Sequence, residues 1–335
     1  MAALRCCVCA PRIVKVYPIM LKRLLFLLIL GLLGCTLVGF FGRFHWLLDL
    51  FAHFRVQYAL IALLFLLLAR LAKQRMSTRL ALLILAINLV QIAPYYLPTP
   101  FITGLASAET ENKPTLRVMT TNVNSSIGNE QRAIESILAS GADVVAIIEL
   151  NPTLAAQLAS IRSEYPFQIL QTMENSHFGI ALLSKIPLER QDVLWLEPNF
   201  TPTLYAEILV DNTPVAILAT HPSPPILKYG TDLRTQRFAA LAEFVSATSI
   251  PTLVIGDLNA TPWSHDMRNL LNNTRLHDSA LGHGLQPTWL RRQYPFGIPI
   301  DYVLASAEFR TLDHAVEPSI DSDHFPVVVT LQLNQ

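Results

Sequence analysis

The chain has 335 residues, 52% of them hydrophobic, and its 25 basic side chains balance 25 acidic ones. That balance conceals a split, because residues 1–100 carry a net +10, with Asp49 their one acid, and residues 101–335 carry a net −10. One uniform soluble domain is thereby excluded, and all four cysteines lie at or before Cys35, which excludes a disulfide framework or a cysteine zinc site from the rest.

The N-terminal tail holds Cys6, Cys7 and Cys9, which lack the paired spacing of a zinc site and read as an unstructured cytosolic tail, with acylation as the alternative. Residues 24–42 form a charge-free run of 19, long enough to span a hydrocarbon core as a helix. Residues 56–72 and 80–97 form a second and third candidate, the last closing near Pro94 and the interface-seeking pair Tyr95 and Tyr96. Between the first two, residues 43–55 mix aromatic and polar side chains and are expected to lie along the interface. Basic residues set the orientation. Arg5, Arg12, Lys15, Lys22 and Arg23 precede the first span, and Arg70, Lys73, Arg75 and Arg79 surround the loop between the second and third. The intervening loop has only Arg43 and Arg55. Residues 1–97 therefore read as a multi-pass anchor, with the N-terminus cytoplasmic and everything after residue 97 on the other side, which in a bacterium would mean the inner membrane and a periplasmic domain. Two alternatives stay open: a start at Met20, and lipoprotein processing at Cys35.

Residues 98–115 read as a linker rich in Pro, Thr, Ser and Glu. The remainder, 116–335, alternates strand-like and helix-like runs. Strands are expected at 116–122, 143–150, 167–171, 178–183, 204–210, 214–220, 252–257, 300–305, 316–318 and 326–333. Helices are expected at 130–139, 152–163 and 232–247. The fold class is α/β with mixed sheets, since hairpin-like neighbours interrupt the alternation.

Six apolar runs each meet polar residues of catalytic type. MTTNVNS presents Asn122 and Asn124, VVAIIELN presents Glu149, and AILATHPSPP presents His221. LVIGDLNATPW presents Asp257 and Asn259, GIPIDYVLAS presents Asp301, and DSDHFPVVV opens with Asp323 and His324. Strand ends are where loops gather to form sites in α/β sheets. Spaced two apart, Asp257 and Asn259 are expected on one face of an extended segment. Each fragment alone is also compatible with a turn or cap; the ordered set is not.

In that order, GDLNATP, IDYVLAS and SDHFPV resemble the endonuclease/exonuclease/phosphatase superfamily, and HFGIALLSKIPL at 177–188 is similar to its central strand pair. The resemblance covers residues 115–335 and implies a four-layer α/β sandwich, two mixed sheets flanked by helices, here preceded by about three transmembrane helices. It also implies a metal-dependent hydrolase of phosphate esters, most of all a phosphodiesterase of nuclease or phospholipase type. Glu149, with Asp323 and Asn122 in or beside the site, would hold Mg2+, or Mn2+ in its place. Asp257 would activate water, Asn259 would donate to a phosphoryl oxygen, and His324, oriented by Asp301, would contact the scissile phosphate beside His221. Two departures stand out. Asn124 occupies a position where many nucleases of the family carry Asp, and His221 lacks a clear Glu partner, with only Glu174 nearby.

The partner is a phosphate-ester substrate, nucleic acid or phospholipid, together with membrane lipid through the anchor; no protein partner is evident. The net −10 argues against tight duplex binding. Residues 288–297 place Trp289, Arg291, Arg292 and Tyr294 where the family carries a substrate-facing loop, with a surface loop around a buried Trp as the equal alternative. A catalytically silent, membrane-tethered scaffold is the alternative, opposed by the intact catalytic set. A transport role is opposed by spans without a mid-membrane ionisable group.

Overall fold

A computed structural model describes residues 16–98, 113–126, 128–173, 176–196, 201–290 and 296–334. The cysteine cluster of the tail with Arg5, Arg12 and Lys15, nearly all of the linker, Glu174, Arg291, Arg292 and Tyr294 lie outside the described residues.

The chain opens as a bundle: α1 (Val16–Val38), the short α2 (Trp46–Leu50), α3 (Arg55–Leu71) and α4 (Arg75–Ile92). Three stretches, Ile19–Phe44, Trp46–Leu71 and Arg75–Tyr95, are long and apolar enough to cross a membrane by length and composition. Their contact surfaces use small residues, Ala62, Ala69 and Ala81, which let helix backbones approach closely. Inside, Asn88 Nδ2 reaches Thr36 Oγ1 at 3.3 Å. The aromatic segment expected at the interface forms α2 and a 3-10 turn, Phe51–Phe54, between α1 and α3.

The rest is a four-layer α/β sandwich. One six-stranded sheet has the order β11-β12-β1-β2-β4-β3 and the other β5-β6-β7-β8-β10-β9. In the first sheet the strands are β1 (Thr115–Asn122), β2 (Val144–Ile148), β3 (Phe167–Gln171), β4 (Ile180–Ser184), β11 (Phe309–Val316) and β12 (Val327–Leu333). The second contains β5 (Leu188–Leu194), β6 (Thr203–Val210), β7 (Thr213–Thr220), β8 (Thr252–Asp257), β9 (Leu276–Asp278) and β10 (Asp301–Ser306). Aliphatic side chains of the two inner faces form the central core, including Val118, Ala146, Ile217, Ile255, Val303 and Val329. The outer face of the first sheet is covered by α5 (Glu130–Ser140) and α6 (Pro152–Gln157), and that of the second by α7 (Leu227–Ala247) and α8 (His265–Asn273).

Local chemistry sets these boundaries. Asn129 caps α5 by accepting from Arg132 N at 3.1 Å, and Gly141 ends it in the left-handed region at φ 64°. Asn151 and Ser264 cap α6 and α8 in the same way, accepting from Leu154 N at 2.7 Å and Met267 N at 3.2 Å. Several expected boundaries need correction. The strand expected at 316–318 meets β11 only at Val316; the strand itself is Phe309–Val316, whose FRTLDHAV pattern is too polar to read as one. The helix expected at 152–163 passes into a 3-10 turn at Leu158–Ile161, and the one expected at 232–247 begins at Leu227.

Topology brings the site together. In each sheet the one parallel pair, β1/β2 or β7/β8, ends at the same edge, and the antiparallel neighbours β12 and β10 begin there. All six polar strand ends therefore face one rim.

Candidate active site

Asp257 is the last residue of β8 and lies directly opposite Asp301, the first of β10. Two carboxylates so placed repel unless something cationic intervenes. That group is His324: its Nδ1 lies 2.9 Å from Asp301 Oδ2 and its Nε2 3.7 Å from Asp257 Oδ2. All three are buried, and their ligand atoms fall within 4.8 Å of one another. Burial acts to lower the His324 pKa, yet Asp301 and then Asp257 overcome it and push it up to about 10. Asp257 moves the other way: burial works to raise it, but His324 and His221 outweigh that and hold it below its ordinary value. Asp301 is raised, chiefly by burial. The arrangement is a charged histidine clasped between two acids.

The second sheet adds His221, just past β7, with Nε2 at 3.5 Å from Asp257 Oδ2. Phe178 packs its ring against that imidazole, centroids 5.1 Å apart. His221 Nδ1 is buried and has no hydrogen-bond partner among the described residues. Asn259 Nδ2 lies 3.2 Å from His221 Nε2 and donates to Pro222 O at 3.0 Å. Asp257 and Asn259 do not share one face of an extended segment, as their spacing suggested. The chain turns after Asp257, Asn259 takes φ 50°, and its N–H closes onto Asp257 Oδ1 at 2.9 Å. The turn still converges both side chains on His221. Gly256, at φ 140°, lets β8 approach β7 there: a Cβ would sit 2.0 Å from Thr220 O.

From the first sheet, Asn122 Nδ2 donates to Glu149 Oε1 at 3.0 Å and to Asp257 Oδ2 at 3.1 Å. It thus links the carboxylates of both sheets. Asn124 donates to Asp323 Oδ1 at 2.6 Å, and Trp289 Nε1 donates to Asp323 Oδ2 at 3.2 Å. Glu149 and Asn124 hold left-handed backbones, φ 61° and 49°, as Asn259 does. Such conformations in residues with side chains are unfavourable and concentrate at functional sites.

The structure therefore gathers Asn122, Glu149, His221, Asp257, Asn259, Asp301, Asp323 and His324 on one rim. It adds residues to which the sequence assigned no role there. Ser125 lies 3.4 Å from Glu149 Oε2 and shares a 2.6 Å hydrogen bond with His177, which stands 3.7 Å from the same carboxylate. Both sit inside quoted motifs, but their polarity alone looks like ordinary loop surface. Trp289, expected to face substrate, holds Asp323 and lies 6.4 Å from the His324 ring.

Glu149 and Asp323 offer carboxylate oxygens, steadied by the amides of Asn122 at the end of β1 and Asn124 just past it. Glu149 keeps 17% of its side chain exposed. Hard oxygen donors with access to water suit a divalent cation such as Mg2+. The Asp257–Asp301–His324 cluster is compact, but its groups are already committed to one another.

Residues 119–324 match the family described as "Endonuclease/Exonuclease/phosphatase family". Among solved structures, the endonuclease/exonuclease/phosphatase from Beutenbergia cavernae is similar at 23% identity and TM-score 0.56, covering 66% of this chain and 72% of that one. One from Bacteroides vulgatus is similar at 16% identity and TM-score 0.55, covering 66% and 100%. Humanized D. rerio TDP2 is similar at 15% identity and TM-score 0.56, covering 65% and 99%. At these identities the structures establish a shared fold. No curated protein matches significantly.

Proposed function

Because this chain belongs to the endonuclease/exonuclease/phosphatase family, we propose that it hydrolyses phosphate diesters at a membrane surface, with a divalent cation, Mg2+, as cofactor. The observation that carries this reading is one oxygen, Asp257 Oδ2, on which both sheets converge. Asn122, His221 and His324 approach it to 3.1, 3.5 and 3.7 Å.

Glu149 and Asp323 would hold the cation, with Asn122 beside the site steadying Glu149 through its Nδ2 hydrogen bond. When bound, the cation supplies positive charge against the phosphoryl oxygens. The chain's own residues do the rest. Asp257, kept ionised by its histidines, orients the attacking water and accepts its proton. Asn259 Nδ2 and cationic His324 donate hydrogen bonds to the non-bridging oxygens, where negative charge gathers. Asp301 fixes the His324 ring through Nδ1 and leaves Nε2 aimed at substrate. His221 faces the phosphate from the other sheet. Donors fixed before reaction need no reorganisation, and a positioned base contributes roughly 100- to 10,000-fold.

Three features support a membrane location and a lipid substrate. The stretches able to span a bilayer precede the domain. Lys22 and Arg23 share a cleft with Gln74, beside the basic turn between α3 and α4, so positive charge collects at the bundle end remote from the domain. By the positive-inside rule that end is cytoplasmic, which puts the domain on the periplasmic face of an inner membrane. Finally, Gln57 at the start of α3 donates to the carbonyls of Phe296 and Gly297 at 2.7 and 3.0 Å, so these two residues rest on the bundle. Phe296 is 60% exposed there. The acidic net charge of the domain opposes strong attraction to duplex nucleic acid.

The test reconstitutes the full chain in phospholipid vesicles and offers, separately, a single-stranded oligodeoxynucleotide, with Mg2+ and with EDTA. Release of phosphorylated headgroup in Mg2+ alone is expected. Cleavage of the oligonucleotide with intact lipid would transfer the reading to nucleic acid. Inactivity on both would favour a silent scaffold on the same fold.

A further inference from the structure

The segment from Asn259 to His265 carries a candidate catalytic amide, and the bundle grips it at alternate residues. Thr261 N and Oγ1 lie 3.3 and 3.0 Å from His53 Nδ1. Trp263 Nε1 donates to Gln91 O at 3.0 Å, and its ring packs with Ala52, Ala59 and Ile92. The two ends of the segment are held by one side chain, Asp49 in α2. Its Oδ1 accepts from His265 N at 2.7 Å, the first amide of α8, where a carboxylate also complements the helix dipole. Its Oδ2 accepts from Arg234 Nη2 at 3.1 Å. Arg234 in turn gives Nη1 to the carbonyl of Asn259 at 2.8 Å and Nε to Asp266 Oδ2 at 2.9 Å. Asp49, Arg234 and Asp266 are all buried.

We propose that Asp49 is a positioning residue for hydrolysis: through Arg234 it fixes the Asn259 carbonyl, and with it the amide that faces the phosphate. The proposal rests on the catalytic role given to Asn259. A guanidinium is planar, and three of its N–H groups are spent on three partners in fixed directions. Asp266 alone leaves the plane free to rotate about its Nε contact; Asp49 removes that freedom. Asn259 sits in the left-handed region, which needs its surroundings to hold it. The membrane-side bundle thus completes the geometry of the catalytic turn, and the domain's activity is coupled to its seating on the bundle.

The experiment is a double-mutant cycle on the full chain in detergent micelles, with bis-p-nitrophenyl phosphate and Mg2+, comparing wild type, Asp49→Asn, Asn259→Ala and the double variant. Gel filtration and thermal melting establish that each is folded at the assay temperature. In the Asn259 background, Asp49→Asn is expected to lower kcat by about ten- to a hundred-fold with KM within about two-fold, the size of effect a sub-ångström misplacement produces. In the Asn259→Ala background the same substitution is expected to change kcat less than about two-fold, since the amide it positions is gone. Equal losses in both backgrounds, or no loss in either, would overturn the proposal. Full activity of Asn259→Ala would instead remove the site reading, and the relay with it. If Asp49→Asn does not fold, Arg234→Lys, which keeps the charge but loses the planar fork, takes its place in the cycle.

Discussion

Single buried groups show how the fold trades stability against charge. Asp278, at the end of β9, accepts from Tyr95 at 3.1 Å and from Ala280 N at 2.9 Å, yet burial pushes its carboxyl from 3.8 up to about 6. Its folded pKa lies above its unfolded one, so the native state disfavours the charged form. As pH rises from about 4 to about 6, the unfolded chain releases this proton first and native stability falls; above that window the deficit stays constant. Two pKa units correspond to about 3 kcal/mol. Asp278→Asn can still accept from Ala280 N through its oxygen and donate to the Tyr95 hydroxyl through its amide nitrogen, without the charge. It should melt higher than wild type at pH 7.5 and lose most of the decline between pH 4 and 6, measured by thermal denaturation in micelles. An unchanged slope would place that decline elsewhere. The side chains that converge on the candidate site were legible in the sequence because each follows, or opens, an apolar run. Asp49, Arg234 and Asp266 were not: Asp49 and Arg234 are 185 residues apart and meet only when the bundle and domain pack.

Strands and helices that bury a face declared themselves by hydrophobic pattern. β8 and β3 lie where the pattern put them, and β2 and β4 differ by one or two residues at each end. The elements that escaped are those with little to bury. β5, LERQDVL, is an edge strand whose middle is exposed, and α8, HDMRNLLNN, buries only Asp266, Met267 and Leu270. The sharp turn that builds the site was hidden for another reason, since glycine in a strand pattern says nothing about its φ. Asn259 carries that turn, while Gly256, inside β8, sets the close approach to β7 just before it. Gly256→Ala introduces a Cβ 2.0 Å from Thr220 O at φ 140°, so β7 and β8 must separate just before Asp257. The expected cost is about 2–4 kcal/mol in unfolding free energy, with kcat falling as well because Asp257 and His221 move apart. A variant as stable and active as wild type would show that the close approach of these strands is dispensable.

Taken together, the chain couples two bodies of opposite character. A basic, apolar bundle supplies stretches able to cross a bilayer, and an acidic sandwich supplies a rim of eight polar residues. The charge split made the division visible in the sequence, but not the contact between them, which uses polar groups scattered over α2, the 3-10 turn after it, the start of α3 and the turn that follows α4. Tyr95 meets Asp278, Gln57 meets Phe296, and Asp49 meets Arg234. Those ties set the candidate rim beside the bundle end that bears Asp49, Gln57 and Tyr95. The central claim is that Asp257 activates water for hydrolysis of a phosphate diester beside a bound cation. Its most direct test is the turnover of bis-p-nitrophenyl phosphate by the full chain and by Asp257→Asn, each with Mg2+ and with EDTA. Activity in wild type with Mg2+, its loss in EDTA, and a fall of about 100- to 10,000-fold in the folded variant are expected. Turnover by Asp257→Asn at the wild-type rate, or wild-type turnover untouched by EDTA, would contradict that claim.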